Sequence, residues 1–339
     1  MSLSCFVVGD IHFKHRSLDE GEKYCERLVS IAEEKEPDLI VLLGDILDDH
    51  EVIRTQPFNM ACDLITSLSE IAPVYLLIGN HDYINNSQYM STNHPFNVLK
   101  GKDNIEIIDQ ARLIKIQDLS FIFCPYVPPG SFMTALKRIN KFESVIKTVS
   151  CVFAHQEFRG CQMGEIKSTV GDVWPANYPP VISGHIHEPQ VIGTNIYYPG
   201  SSRQTNFGES PDKKVWNVSF EKKQETMVYE AIDLGLRNKK TVSFHIDDIK
   251  SFDTSLVDKY DVRVNLKGSL ESLTGFRKTK AYSNLVSLGV KVNFEPEKTQ
   301  SKEFTELKTE KMNFRDILHQ LVLKSKDKFI QKAYHTISS

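Results

Sequence analysis

Three continuous apolar runs limit what this chain of 339 residues can fold into. They are CFVVGD (5–10), DLIVLLGD (38–45) and VYLLIGNHD (74–82). None alternates with polar residues, so both faces of each strand must be covered, as they are in a sheet lined by helices. Each run stops at a glycine followed by aspartate or asparagine. Helical spacing fills the intervals. Tyr24, Leu28, Ile31 and Ala32 recur through 18–36, while Phe58, Ala61, Ile65 and Leu68 share a face over 57–71, with Pro57 placed for a helix start.

Further along, the pattern predicts strands at 105–108, 111–116 and 119–124, a helix near 131–148, and a strand in SCVFAHQ (150–156). A strand before SGHIH (183–187), a hairpin near 190–198 and strands near 215–220 and 225–230 follow. Alternation and then clustered strands predict an α/β fold, a two-sheet β-sandwich flanked by helices, over 1–232. The polar stretch DLGLRNKKT (233–241) marks a boundary. Beyond it, 241–298 reads as a small α+β unit with strands TVSFHID, DVRVNLKG and GVKVNFE, and helical spacing at Leu270, Leu273, Tyr282, Leu285 and Leu288. The tail, 303–339, is helical in pattern.

The N-terminus reads as a strand rather than a secretory signal, and no apolar run approaches bilayer length. Six cysteines occur without a C-x-x-C pair, which predicts buried free thiols in a reducing, cytoplasmic setting and no thiolate metal site. The net charge of −3 hides an asymmetry. Residues 1–230 carry 21 basic against 30 acidic side chains, and residues 231–339 carry 20 against 14. An acidic front half suits metal cations. The mildly basic back half is a weak nucleic-acid signal.

Five strand ends are rich in hard-metal ligands: GDIH (9–12), GDILD (44–48), GNHD (79–82), FAHQ (153–156) and SGHIH (183–187). Loops from several strands converge at such ends. If these segments stay extended, residues i and i+2 point the same way, so Asp10 with His12 and His185 with His187 form two-ligand claws. Asp10, His12, Asp45, Asn80, His155, His185 and His187 are too many ligands for one tetrahedral zinc ion. They fit two cations about 3.5–4 Å apart that share a carboxylate, the arrangement used in phosphodiester hydrolysis. Asp45 is the best bridge. Imidazole, carboxylate and amide without thiolate point to manganese, iron or zinc.

The order D-x-H, G-D-x-x-D, G-N-H-D, H, G-H-x-H, over about residues 5–220, resembles the calcineurin-like metallophosphoesterase superfamily. The resemblance implies a first metal held by Asp10, His12, Asp45 and His187, and a second by Asp45, Asn80, His155 and His185. It also implies that His81 gives a proton to, or stabilises, the leaving oxygen. Asp48 and Asp82 are placed to orient histidines.

A narrower resemblance rests on YYPGSSRQTNFGESPDKKVWNV (197–218) and on the unit holding YDVRVNLKGSLESL and LGVKVNFE. Both are similar to the SbcD/Mre-type recombination and repair nucleases. This implies a Mn2+-dependent DNA exonuclease and endonuclease, the catalytic subunit of an end-processing complex, dimerising through helices near 57–70 and 94–101. In that setting 241–298 caps the cleft and touches DNA, and 303–339 grips an SbcC/Rad-type coiled-coil ATPase. The alternative on the same fold is a small-molecule phosphodiesterase or phosphatase. Some members carry histidine where this chain has Asp48. His50, two residues on, reads as a surface histidine without a role.

Overall fold

Leu3, Cys5 and Val7 of β1 (Ser2–Val8) join one buried cluster, and Phe6 and Val8 join another. That is the physical content of the unbroken apolar run: successive side chains point to opposite faces, and both faces are covered. The structure is a computed structural model and describes residues 2–221, 227–297, 321, 322 and 334. In its first sheet β1 pairs in parallel with β2 (Leu39–Leu42), which continues to β3 (Val74–Leu77) and β4 (Ile105–Ile108). The second sheet holds β5 (Arg112–Ile116), β6 (Leu119–Cys124), β7 (Cys151–His155), β10 (Val181–Gly184), β11 (Gln190–Ile192) and β12 (Ile196–Tyr198), in the order β11-β12-β10-β7-β6-β5. Between β7 and β10 lies a small hairpin, β8 (Gln162–Met163) and β9 (Ile166–Lys167), which the sequence pattern did not suggest. The antiparallel strands β13 (Val215–Glu221) and β14 (Val228–Ile232) return to the open edge of β1.

The two sheets face each other through aromatic side chains. Phe121, Phe123, Phe153 and Phe220 meet Cys5, Val41 and Leu77 in one fully buried layer, each buried ring contributing roughly 1.5–3 kcal/mol of transfer free energy. Helices α1 (Leu18–Lys35) and α2 (Thr55–Ile71) cover the outer face of the first sheet. The short α3 (Phe132–Leu136) and α4 (Phe142–Val145) cover the second. The expected α/β sandwich flanked by helices is the fold. One detail differs. The single helix expected over 131–148 is two short ones, separated by turns over 137–141 that end with Lys141 in a left-handed backbone, φ 58°. Ala61, Ile65 and Leu68 of the apolar stripe of α2 are buried against the chain's own sheet.

After the polar link, β15 (Asn238–His245) begins three residues before the expected boundary at 241. It pairs in parallel with β16 (Tyr260–Gly268), which pairs in parallel with β17 (Lys291–Pro296). A short α5 (Leu256–Lys259) precedes β16, and the helical spacing expected between β16 and β17 falls on two helices, α6 (Leu270–Phe276) and α7 (Lys280–Ser287). Val262, Val264, Leu266, Leu273 and Leu285 form this unit's own core. Apart from residues 321, 322 and 334, the tail expected over 303–339 lies outside the described residues. Among the described residues no helix is long and apolar enough to cross a membrane, and all six cysteines are free, four of them buried.

Candidate metal centre

The ligand-bearing segments leave β1, β2, β3, β7 and β10 at neighbouring strand ends. Register holds them together: Gly184 pairs with His155 across β10 and β7, and Val8 pairs with Leu42 across β1 and β2. Beyond β1 the chain does not stay extended as the two-ligand claws assumed. His12, Asp45 and His185 all adopt positive φ, at 50°, 49° and 81°, a conformation costly for residues with a Cβ. Strained turns, not pleated strands, aim these side chains inward. Backbone bonds hold the turns, since Ile11 and His12 both donate N–H to the Asp45 carbonyl, at 3.1 and 3.0 Å. Gly79 must be glycine, because a Cβ there would stand 2.2 Å from Asp45 Oδ1.

Among the described residues, two groups of side chains could each hold a metal ion: His12, Asp45 and His81, and Asp45, His155 and His185. In each, the ligand atoms lie within 4.8 Å of one another. Asp45 is common to both, as expected of a bridge. Asn80 joins the second group, with Oδ1 3.1 Å from His155 Nε2 and 2.8 Å from His185 Nδ1. His187 stands beside the first, its Nε2 3.0 Å from His12 Nε2. Asp10 accepts the His185 N–H through Oδ1 at 3.0 Å, while its Oδ2 is buried with no hydrogen-bond partner among the described residues.

Proton counting shows that the donor set fits cations. His155 Nδ1 lies 2.7 Å from the Leu43 carbonyl, which can only accept, so Nδ1 carries the hydrogen. In neutral His155 the lone pair of Nε2 then faces two oxygen acceptors, Asn80 Oδ1 and Asp45 Oδ2, the latter at 3.4 Å. His187 Nδ1 likewise donates to Glu209 Oε1 at 3.0 Å, which turns its Nε2 lone pair toward the His12 ring. Converging lone pairs call for a positive charge between them. Burial works to lower the His155 pKa, but the Asp45 carboxylate prevails and brings it to about 9. Burial and then the neighbouring His155 push His185 down to about 3. A divalent cation in each group would meet the same demand without these protons.

A family model for the calcineurin-like phosphoesterases matches residues 3–189. This chain belongs to that family. Among its relatives is "Putative phosphoesterase 244L" of Invertebrate iridescent virus 6, 40% identical, with 80% of this chain and 96% of that protein covered. "Putative phosphoesterase 078R" of Invertebrate iridescent virus 3 is 35% identical, over 86% of this chain and 84% of its own. A more distant relative, a component of the nuclease SbcCD of Staphylococcus epidermidis, is 24% identical over 60% of this chain and 61% of that protein.

Within the calcineurin-like phosphoesterase fold, the supporting residues divide unexpectedly. Asp48 does approach a histidine, its Oδ1 lying 3.3 Å from His12 Nδ1 and 3.1 Å from Lys14 Nζ. Burial would raise its pKa, yet these two groups hold it at about 2. Asp82 hydrogen-bonds to no histidine among the described residues. It accepts the backbone N–H groups of Ile46, Leu47 and Gly79 at 3.0 to 3.1 Å, and so clamps two ligand loops together. Burial, then the charge of Asp45, raises its pKa to about 7. His81 is fixed by its backbone N–H to Asp45 Oδ1 at 2.8 Å and by Nδ1–H to the Asp48 carbonyl at 2.6 Å.

Sequence reasoning missed three residues. Glu209 holds His187, and Thr205 and Asn206 donate in turn to its carboxylate. The buried Arg203 donates to the carbonyls of Ile11 and His12, at 3.0 and 2.8 Å, and braces that turn. His50 stacks on His81, with ring centroids 4.3 Å apart. Glu209 and Arg203 lie in the 197–218 segment, whose family likeness was the available signal.

Proposed function

We propose that this chain hydrolyses small-molecule phosphoesters, as a phosphodiesterase or phosphatase, at two divalent cations. The observation that carries this reading is that one carboxylate, Asp45, belongs to both metal-binding groups. The first cation would be held by Asp10, His12, Asp45 and His187, and the second by Asp45, Asn80, His155 and His185. Bound cations would supply an activated water and neutralise the phosphate oxygens. His81, with Nδ1–H committed to the Asp48 carbonyl, would act as an imidazolium that carries a second hydrogen on Nε2, gives that proton to the leaving oxygen and is left as the neutral Nδ1–H ring. Asp82 and Asp48 keep the loops and His12 in place.

One observation favours a second reading, the DNA nuclease. The cations Lys239, Arg263 and Lys291 of the three-stranded unit gather around the Phe207 ring, 4.8 to 5.9 Å from its centroid. Phe207 sits in the loop that delivers Glu209 to His187. Glu20 pairs with Lys239 and lies 3.8 Å from Lys291, so the cluster is partly neutralised, but a basic group at this loop would suit a polyanion, and that reading would bring Mn2+, a homodimer and an SbcC-type ATPase partner with it.

The test is to load the protein with Mn2+ and compare bis(p-nitrophenyl) phosphate, p-nitrophenyl phosphate and end-labelled linear duplex DNA, each beside His81→Ala. Hydrolysis of an aryl ester with intact DNA supports the small-molecule reading. Degradation from the DNA ends, lost in His81→Ala, moves the assignment to the nuclease. Inertness toward all three overturns both.

A further inference from the structure

We infer that His50 is the positioning residue that steadies the plane of the His81 imidazole, an inference that rests on His81 acting as proton donor. The two rings stack with centroids 4.3 Å apart and an interplanar angle of 24°. The hydrogen bond from Nδ1 to the Asp48 carbonyl sets the torsion of the ring about Cβ–Cγ, but a single bond leaves play about that setting. His12 meets the ring edge-on, at 4.8 Å and 87°, and is itself a candidate ligand. His50 lies against the ring face and narrows the tilt that remains.

The stack is built rather than incidental. His50 Nδ1 is buried and has no hydrogen-bond partner among the described residues, so the ring is not placed there for a bond through that nitrogen. The chain then turns back through Glu51, a non-glycine residue in the left-handed region at φ 61°. Arg54 Nε pairs with Asp49 Oδ2 at 2.8 Å across the same turn and closes it. The left-handed turn at Glu51 and the Asp49–Arg54 pair close the loop that brings His50 against His81. A proton donor must meet the leaving oxygen along its N–H direction, and that direction follows the ring plane.

The experiment uses the Mn2+-loaded full chain and a series of methyl aryl phosphates running from p-nitrophenyl to unsubstituted phenyl as leaving group. A proton donor matters little to nitrophenolate and much to phenolate. His81→Ala should therefore lose about 100-fold in kcat on the phenyl ester and little on the nitrophenyl ester. His50→Ala should follow the same leaving-group dependence, losing about tenfold on the phenyl ester with KM unchanged. His50→Phe, which keeps a flat ring and removes the nitrogens, should stay within about twofold of the wild type throughout. If His81→Ala shows the dependence and His50→Ala does not, this proposal alone falls. If His50→Phe is as impaired as His50→Ala, stacking is not the device and the proposal also falls. A His81→Ala variant without the dependence, or a wild type inert to the whole series, removes the underlying reading and this inference together.

Discussion

The Asp45 carboxylate accepts the backbone N–H of His81 at 2.8 Å, which ties the turn bearing the proposed proton donor to the side chain shared by both metal-binding groups. That bond uses Oδ1. Oδ2 faces the imidazoles, 3.7 Å from His12 Nε2 and 3.4 Å from His155 Nε2. Asp45→Asn removes the charge and keeps an oxygen for the His81 N–H. It is expected to retain fewer than two metal equivalents after dialysis and to lose about 10³-fold in kcat, since cation stabilisation of the phosphate is worth several kcal/mol. Metal analysis of the dialysed variant decides, and two retained equivalents would contradict a shared ligand.

His81 also lies in the group with His12 and Asp45, so it could be read as a ligand rather than a proton donor. The two roles separate cleanly. As a donor, its removal leaves both cations in place. His81→Ala should hold two equivalents with affinities near wild type while kcat falls about 100-fold on esters with poor leaving groups. Loss of one equivalent in a titration with Mn2+ would make it a ligand.

How much of this was legible in the sequence depends on what kind of contact a residue makes. Asp10, Asp45 and Asn80 follow apolar runs that could only be buried strands, so their convergence could be read before any coordinates. The route was not. The i, i+2 spacing of His185 and His187 suggested extended chain, whereas positive φ at His12, Asp45 and His185 does the aiming; Gly44 and Gly184 precede two of these positions, but the left-handed residues themselves are not glycine. Asp82 was expected to orient a histidine, but a carboxylate that accepts backbone N–H groups has no spacing rule to announce it. His50 and Glu209 sit in loops without periodicity, where a three-dimensional stack or bond leaves no pattern along the chain. The helix expected over 131–148 stops at Leu136 and restarts only after Lys141, where nothing in the residue type signals a left-handed backbone.

Glu209 fixes His187 from behind, and the loop around it is anchored to the three-stranded unit. The Lys239 backbone N–H donates to Gln204 Oε1 at 2.6 Å, and Gln204 Nε2 donates to the Glu209 carbonyl at 2.8 Å. Glu209→Ala frees the His187 ring and removes the acceptor for its Nδ1–H. Such outer partners are typically worth about 10–100-fold in metal affinity. Calorimetric titration should show one weakened site and one unchanged site. Uniform weakening of both would mean the loop supports the whole centre rather than His187.

Two glycines make a matched pair for testing close approach. A Cβ on Gly79 would lie 2.2 Å from Asp45 Oδ1, which the His81 N–H holds, and 2.3 Å from Asp45 N. Gly79→Ala should cost about 3 kcal/mol, the upper range for overpacking, together with metal binding. Gly275 in α6 has open space around its Cβ position and no positive φ. Gly275→Ala should stabilise by about 0.5–1 kcal/mol through the unfolded chain. Urea unfolding of both variants checks the contrast, and a tolerated Gly79→Ala would show that the Asp45 turn can shift.

Asp109 is buried outside the metal-binding groups, with His94 Nε2 3.4 Å away, Lys100 Nζ bonded to Oδ2 and Arg112 Nη2 3.8 Å from Oδ1. Burial alone would raise its pKa, but the bonds from His94 and Lys100 outweigh that and hold it below the ordinary carboxylate value. A carboxyl depressed on folding adds stability that is fully present above the unfolded pKa of about 3.9 and fades as pH falls toward the folded value. Asp109→Asn should therefore cost about 3 kcal/mol at pH 7, in the range for breaking one side of a buried ion pair. The difference from wild type should hold at pH 5 and shrink by pH 3, where the wild-type carboxylate begins to take up its proton. Urea unfolding at the three pH values measures it. A gap that stays constant down to pH 3 would mean Asp109 stabilises through packing and neutral hydrogen bonds rather than through its charge.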